Sequence, residues 1–290
     1  MKAKTFDRAA EDIGNIVSLE HVNVLVPDQG LATTFYVSGL GLTRDPYIMV
    51  HTDNMWINCG QEQFHLITGH PQVLRGHTGL VIADYDALPA RLASVRDRLS
   101  KTAFSFSIED KYIDTTCPWG NKYRCYAPAL EFGQYTKLGT AYVEFTVKPG
   151  TAEGIARFYN RVMQAPAVCV PNGTGKITKV RVGGRQELRF RETTAEIVPY
   201  DNHHIAIYVA NFSGLHKWLV DHGRLSEESN PYQYRFVDIV DPDKPDQLLF
   251  EIEHEVRSYT HPMFMRPLVN RNPAQRQPTY QPGVDAFNPG

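Results

Sequence analysis

The chain has 290 residues, of which 42% are hydrophobic and 21% are charged, a composition typical of a globular protein with one large or two medium domains. Its 30 basic and 32 acidic residues give a net charge of −2, so no positive surplus supports binding to nucleic acid or to an anionic membrane. No apolar run reaches the roughly 18 residues of a membrane-spanning helix, and the first residues lack the apolar core of a secretory signal, so we expect a cytoplasmic protein.

Four segments along the chain share one rhythm, in which a strand with alternating apolar residues is followed by a turn and a helical stretch. The strands read LEHVNVLVPD, GHTGLVIADYD, TAYVEFTVKPG and HHIAIYVANFS. The helical stretches that follow them read LATTFYVSGL, DALPARLASVRDRL, TAEGIARFYNRVM and FSGLHKWLVDHG. Extended runs bounded by turn residues come next in each case, so the sequence predicts four modules of about 60 residues.

The modules differ in how much they resemble one another, and this suggests how they group. Modules one and three align without a gap where GQEQFH, starting at Gly60, matches GRQELR, starting at Gly184. This likeness between modules that are two apart in the chain favours two paired halves, residues 17–130 and 138–256. A lead at 1–16 precedes them. In the arm at 257–290, six prolines exclude regular secondary structure, while its apolar residues favour docking on its own chain or in a homodimer.

Motifs at equivalent places in these modules make the chain resemble the vicinal oxygen chelate superfamily, which includes glyoxalase I, extradiol dioxygenases and bleomycin resistance proteins. The motifs are His21-Val-Asn-Val-Leu-Val-Pro-Asp28, Phe35-Tyr36, Gly39-Leu-Gly-Leu42, Gly76-His77, His204-Ile-Ala, and Asp241-Pro-Asp with Glu251. The resemblance covers 17–256 and implies an α+β fold in which four βαβββ modules pair into two open, cup-shaped barrels. It also implies that a metal lies inside a cup, held from the first and last strands of each module.

Carried onto the first pair of modules, the resemblance gives four corner positions of a cup, which are His21, His65, His77 and Arg124. Three imidazoles can hold a divalent ion such as Fe(II), Mn(II), Zn(II) or Ni(II) and leave positions open for water or substrate. Arg124 stands where the family has a carboxylate, and we expect it to bind an anionic oxygen of a substrate by paired hydrogen bonds.

In the second pair of modules the corners are Tyr142, Arg189, His204 and Glu251, and they form the alternative site. The choice of Glu251 assumes an insertion around residues 244–246, and Glu253 lies on the same face of that strand. Glu144 shares a face with Tyr142 and is the other candidate ligand there. The first histidine that an extradiol dioxygenase would be expected to keep in this pair is absent.

Two functions are consistent with these features. The first is a metal-dependent enzyme of glyoxalase or dioxygenase type, acting on a small substrate whose neighbouring oxygens chelate the metal. The second is a metal-free protein similar to the bleomycin resistance proteins, whose cups bury an apolar or aromatic ligand beside Trp56, Trp119 and the tyrosines. The measured metal content of the purified protein separates the two.

Overall fold

A computed structural model of the protein describes residues 6–45, 53–133 and 137–266. The first module contains β1 (Ile16–Asn23), α1 (Gln29–Thr33), β2 (Thr43–Arg44), β3 (Asn54–Cys59) and β4 (Glu62–Ile67). The second contains β5 (Gly76–Val81), α2 (Leu88–Ser94), α3 (Arg96–Leu99), β6 (Ser105–Ile108), β7 (Ile113–Thr116) and β8 (Lys122–Tyr126).

The third module contains β9 (Gly139–Val147), α4 (Ala152–Arg161), β10 (Ala167–Asn172), β11 (Gly175–Val182) and β12 (Gln186–Glu192). The fourth contains β13 (His204–Val209), α5 (Phe212–Asp221), β14 (Leu225–Asn230), β15 (Gln233–Asp241) and β16 (Lys244–Arg257). A π-helical turn (Thr34–Gly39) continues α1, and short 3-10 turns cover Ala9–Glu11, Tyr85–Ala87 and Leu130–Phe132. The predicted order of one strand, a helical segment and three strands therefore occurs four times.

The strands form two eight-stranded sheets, one in the order β14-β15-β16-β13-β1-β4-β3-β2 and the other in the order β10-β11-β12-β9-β5-β8-β7-β6. The first sheet combines modules one and four, and the second combines modules two and three. The fold class is confirmed, but the predicted pairing within 17–130 and within 138–256 is wrong. All four modules carry the same apolar alternation, so the alternation cannot decide which first strands lie side by side.

The apolar residues of the first strands lie on the predicted face. Val22, Val143 and Ile205 are buried there, with the equivalent residues of β5, in one core that extends behind both sheets. Phe145 of β9 and Phe250 of β16 join the two sheets, with ring centroids 5.6 Å apart. The opposite face of each sheet, which carries the predicted corner residues, is thereby left for a site.

A β-bulge interrupts the first strand of one module in each sheet. In β1, Leu19 pairs with Ile207 and His21 with Ala206, so Glu20 is the extra residue. In β9, Thr140 pairs with Leu80 and Tyr142 with Gly79, so the extra residue lies between them. A bulge re-aims side chains, and here it brings Glu20 alongside His21 although strict alternation would separate them.

The first part of the predicted arm lies on its own chain. The ring of Phe264 lies 4.9 Å from that of Tyr208, and Arg266 forms a buried ion pair with Asp45 at 2.6 Å. Residues 267–290 of the arm lie outside the described residues, and a homodimer formed through the arm stays a prediction. Within the described ranges, no helix is long and apolar enough to cross a membrane.

Candidate metal centre

Three histidines from two modules meet in the first sheet. His21 lies on β1, His65 on β4 and His204 at the start of β13, and their ligand nitrogens all lie within 4.8 Å of one another. The predicted neighbours His21 and His65 are therefore together. The predicted third member, His77, lies on β5 in the other sheet, so its place in this group is taken by His204.

Hydrogen bonds leave His21 and His65 each with a nitrogen available to a metal. Nδ1 of His21 contacts the carboxylate of Glu20, and Nε2 of His65 lies 2.8 Å from Oδ1 of Asn54. When these nitrogens carry the protons, Nε2 of His21 and Nδ1 of His65 keep their lone pairs. The freed Nε2 of His21 lies 3.4 Å from Nε2 of His204.

Trp56 and the ring of His21 hold His65 in place from two sides. The Trp56 and His65 rings stack, with centroids 3.9 Å apart and planes inclined by 16°. His21 meets both rings edge-on, with centroids 4.9 Å from Trp56 and 5.6 Å from His65. Packed aromatic neighbours restrict the rotamers of the imidazoles, which pre-organises the three nitrogens.

Glu253 on β16 brings a carboxylate to the three imidazoles. Its Cα pairs with that of His204 across the sheet, and its Oε1 lies 3.3 Å from Nδ1 of His204. The predicted residue, Glu251, lies two positions earlier, where its backbone carbonyl accepts a hydrogen bond from Arg75. The alternative that named Glu253 therefore describes the geometry. We call the group His21, His65, His204 and Glu253 the histidine cup.

A buried charge network surrounds the histidine cup. Arg257 donates to Glu20 at 2.7 Å and pairs with Glu255, while Arg235 donates to Glu253 at 2.6 Å and also pairs with Glu255. Burial opposes ionisation of Glu20, but Arg257 and His21 outweigh it and lower its pKa to about 2. The carboxylate that contacts His21 is therefore ionised at neutral pH, which orients that ring.

Two of the site histidines, His65 and His204, are suited to bind a cation rather than a proton. Burial lowers the pKa of His65 well below its ordinary value, and the nearby His21 ring lowers it further. The same two causes, in the same order, act on the pKa of His204. Since a metal ligand must be a neutral imidazole, both rings are in the required form at pH 7. The donor set therefore fits a divalent ion.

The remaining predicted corner residues come together in the second sheet, and we call His77, Arg124, Tyr142 and Arg189 the arginine cup. Oη of Tyr142 lies 3.0 Å from Nε2 of His77, and the Arg189 guanidinium lies 3.7 Å above the Tyr142 ring. Arg124 forms two hydrogen bonds with Asp114, at 2.8 and 3.0 Å.

The arginine cup does not offer a comparable set of metal ligands. Burial raises the pKa of Tyr142, so its phenol stays protonated, and two guanidiniums cannot coordinate a cation. Glu144, the alternative ligand, is held by Arg191 through hydrogen bonds of 2.6 and 3.0 Å. The residues predicted as the alternative site are therefore split between the two sheets. Tyr142 and Arg189 lie in the second sheet, whereas His204 belongs to the histidine cup in the first.

Sequence reasoning missed the residues that orient the histidines. Strict alternation along β1 assigns Glu20 to the face opposite His21, so it does not predict their contact. No local sequence signal marks the bulge that brings them together. Glu255 and Arg257 extend the alternation that runs through Glu253, so they could have been found once that register was known.

This architecture is that of the glyoxalase and dioxygenase fold, and the predicted resemblance to the vicinal oxygen chelate superfamily is confirmed at the level of the fold. The protein is similar to glyoxalase I from Zea mays, with a TM-score of 0.59 and 13% identity, covering 84% of this chain and 92% of that one. It is also similar to a putative dioxygenase from Bacillus subtilis, with a TM-score of 0.55 and 14% identity, covering 84% and 86%. No protein-family model matches the sequence, and no curated protein matches it.

Proposed function

We propose that the protein is a metal-dependent enzyme of glyoxalase or dioxygenase type that acts on a small substrate through two neighbouring oxygens. The observation that carries the proposal is the convergence of His21, His65 and His204, with ligand nitrogens within 4.8 Å of one another. Three imidazole ligands with a carboxylate beside them suit Fe(II), Mn(II), Zn(II) or Ni(II). The glyoxalase and dioxygenase names of the similar structures support the reaction type.

The metal, when bound, would act as a Lewis acid or an electron conduit for two neighbouring substrate oxygens. His21, His65 and His204 would hold it, and Glu20 would keep the His21 ring in the orientation that presents Nε2. Trp56, stacked on His65, would shield this side of the site from water.

Glu253 is the candidate proton acceptor of the site. Burial raises its pKa against the opposing effect of Arg235, and the neighbouring Glu255 raises it further. A carboxylate with a raised pKa is a better base towards a weakly acidic C–H or O–H group at neutral pH. The Glu253 carboxylate would therefore take a proton from the substrate, while Arg235, whose Nη1 lies 2.6 Å from Oε1, holds the carboxylate in position.

Metal analysis tests the proposal. Protein purified without chelator should contain close to one divalent ion per chain, and a His21→Ala, His204→Ala double variant should lose it. His77→Ala is the matched control, since His77 lies in the other sheet, and it should retain the metal. Absence of metal from the wild-type protein after reconstitution with each of the four ions would favour the metal-free binding protein instead.

The role of Glu253 has its own test. Glu253→Gln should lower the turnover of any substrate found for the loaded protein far more than Glu251→Gln, because only Glu253 pairs with His204. Both variants remove one charge from the same strand. An equal loss in the two variants would contradict the role given to Glu253.

A further inference from the structure

The two cups share one backbone plan and differ in chemistry. Strand register places three residues of the histidine cup at positions equivalent to residues of the arginine cup: His21 with Tyr142, His65 with Arg189, and His204 with His77. Arg124 is equivalent to Glu255, which lies two residues after Glu253 on β16. An acidic and imidazole-rich surface in the first sheet thus becomes a guanidinium-rich surface in the second. The first surface suits a cation, and the second suits an anion.

A cavity of about 590 Å³ opens on the arginine cup beside β11. Its cationic side is formed by Lys179, Arg181 and Arg189. Arg181 donates to the backbone carbonyls of Ala10 and Asp12, at 2.8 and 3.1 Å, which leaves its charge intact. Among the described residues, no carboxylate forms an ion pair with Lys179 or Arg181.

The acidic residues of the same cavity do not cancel this charge. Glu187 is paired with Arg189 at 2.6 Å, and Glu131 is exposed at the edge of the cavity. Two cations therefore remain without a carboxylate partner on a concave surface. Such a surface attracts a small anion and binds it more strongly as water is excluded.

The other side of the cavity is aromatic. Tyr126 and Phe132 contact each other with ring centroids 4.9 Å apart, and Oη of Tyr126 lies 2.9 Å from Oη of Tyr142. Ala141 also lines this side of the cavity, and the Arg189 guanidinium lies 3.7 Å above the Tyr142 ring. A flat apolar body with a charged end fits a cavity with these two sides.

We propose that this cavity is a binding site for a small aromatic carboxylate, whose ring packs on Tyr126 and Phe132 and whose carboxylate pairs with Lys179 and Arg181. Guanidinium and ammonium groups bind a carboxylate by charge-assisted hydrogen bonds. The site lies in the other sheet from the histidine cup and does not require a metal.

Benzoate serves as the probe, and its binding is followed by NMR titration of the ligand signals in buffer containing a chelator. Benzoate should bind saturably, and benzyl alcohol, which keeps the ring and lacks the charge, should bind at least about tenfold more weakly. Lys179→Met should weaken benzoate binding several-fold. Lys176→Met is the matched control on β11, because Lys176 pairs with Glu153 of α4 outside the cavity, and it should leave the affinity unchanged.

Three results would overturn the assignment: no saturable binding of benzoate, equal binding of benzoate and benzyl alcohol, or equal weakening by the two lysine substitutions. The His21→Ala, His204→Ala variant separates this site from the proposed metal centre. It should bind benzoate as the wild-type protein does, whereas a loss there would place the carboxylate in the histidine cup. A failure of the metal proposal would leave the benzoate result unaffected.

Discussion

Individual histidines in this protein have different surroundings, and these surroundings decide what each can do. His204 meets two other imidazoles and a carboxylate, so a cation can occupy the space among them. His254, on the neighbouring strand, points into the core, where its Nε2 lies 2.7 Å from Oη of Tyr159. A histidine count cannot distinguish these cases, because they differ only in the face of the strand and in the partners across it.

The core histidine predicts a specific loss of stability in acid. Burial lowers the pKa of His254 from 6.5 to about 4. Above pH 6.5 the folded and unfolded states are both neutral at this residue. As the pH falls from 6.5 towards 4, the unfolded state takes up the proton first, so His254 should reduce the free energy of unfolding by roughly 3 kcal/mol.

Urea denaturation between pH 7.5 and 4.5, with chelator present, measures this effect. His254→Gln removes the titrating group, so the free energy of unfolding should fall less steeply with decreasing pH than in the wild type. His222→Gln, at an exposed histidine following α5, should retain the wild-type slope. Identical slopes in all three proteins would show that His254 is not the group responsible.

At the scale of the element, the first strands are where local pattern and tertiary structure diverge. Alternation correctly predicted that Val22 and Val143 face the core, because period two is a property of a single strand. The bulges could not be predicted from it, since an extra residue is accommodated only through pairing with β13 and β5. The last strands have the same limitation. The sequence pattern predicts Glu251 at the place where Glu253 meets His204, because the register of β16 depends on the preceding hairpin.

Close packing across β5 and β9 gives a prediction for Gly79. A Cβ atom at this position would lie 2.2 Å from Cε1 of Tyr142, closer than any real contact, so the phenol ring depends on the glycine. Gly79→Ala should lower the free energy of unfolding by roughly 1–3 kcal/mol through overpacking. Adding Tyr142→Leu should recover part of the loss by removing the ring.

Urea denaturation midpoints measure the change. Gly184→Ala provides the control, because a Cβ there meets nothing within 4 Å. If the Gly79 and Gly184 variants were equally stable, the close approach of the Tyr142 ring to β5 would be contradicted.

The whole molecule is assembled from interleaved modules. Each sheet contains one module from each half of the chain, joined by β1 with β13 in one case and by β5 with β9 in the other. The histidine cup consequently draws His21 and His65 from the first module and His204 and Glu253 from the fourth. A cup built from neighbouring modules would have separated these residues.

This arrangement predicts that the halves of the chain depend on each other. Residues 1–133 or 137–290 produced alone would expose the unpaired edges of two first strands and should aggregate or remain unfolded, without bound metal. Production of the two fragments in one cell should give a complex with the metal content of the intact chain. Size-exclusion chromatography and elemental analysis report both properties, and a folded, monomeric half that binds metal would contradict the interleaving.

The sequence by itself determined the four modules, the faces of their first strands, and most of the positions from which a site is built. These properties are local, because the turn signals and the apolar alternation act over a few residues. Only the tertiary structure decided that module one joins module four, and therefore that His204 rather than His77 completes the group with His21 and His65. The first strands of the four modules have nearly the same sequence pattern, so the pattern does not determine which two pair with each other. That pairing depends on contacts between residues far apart in the chain.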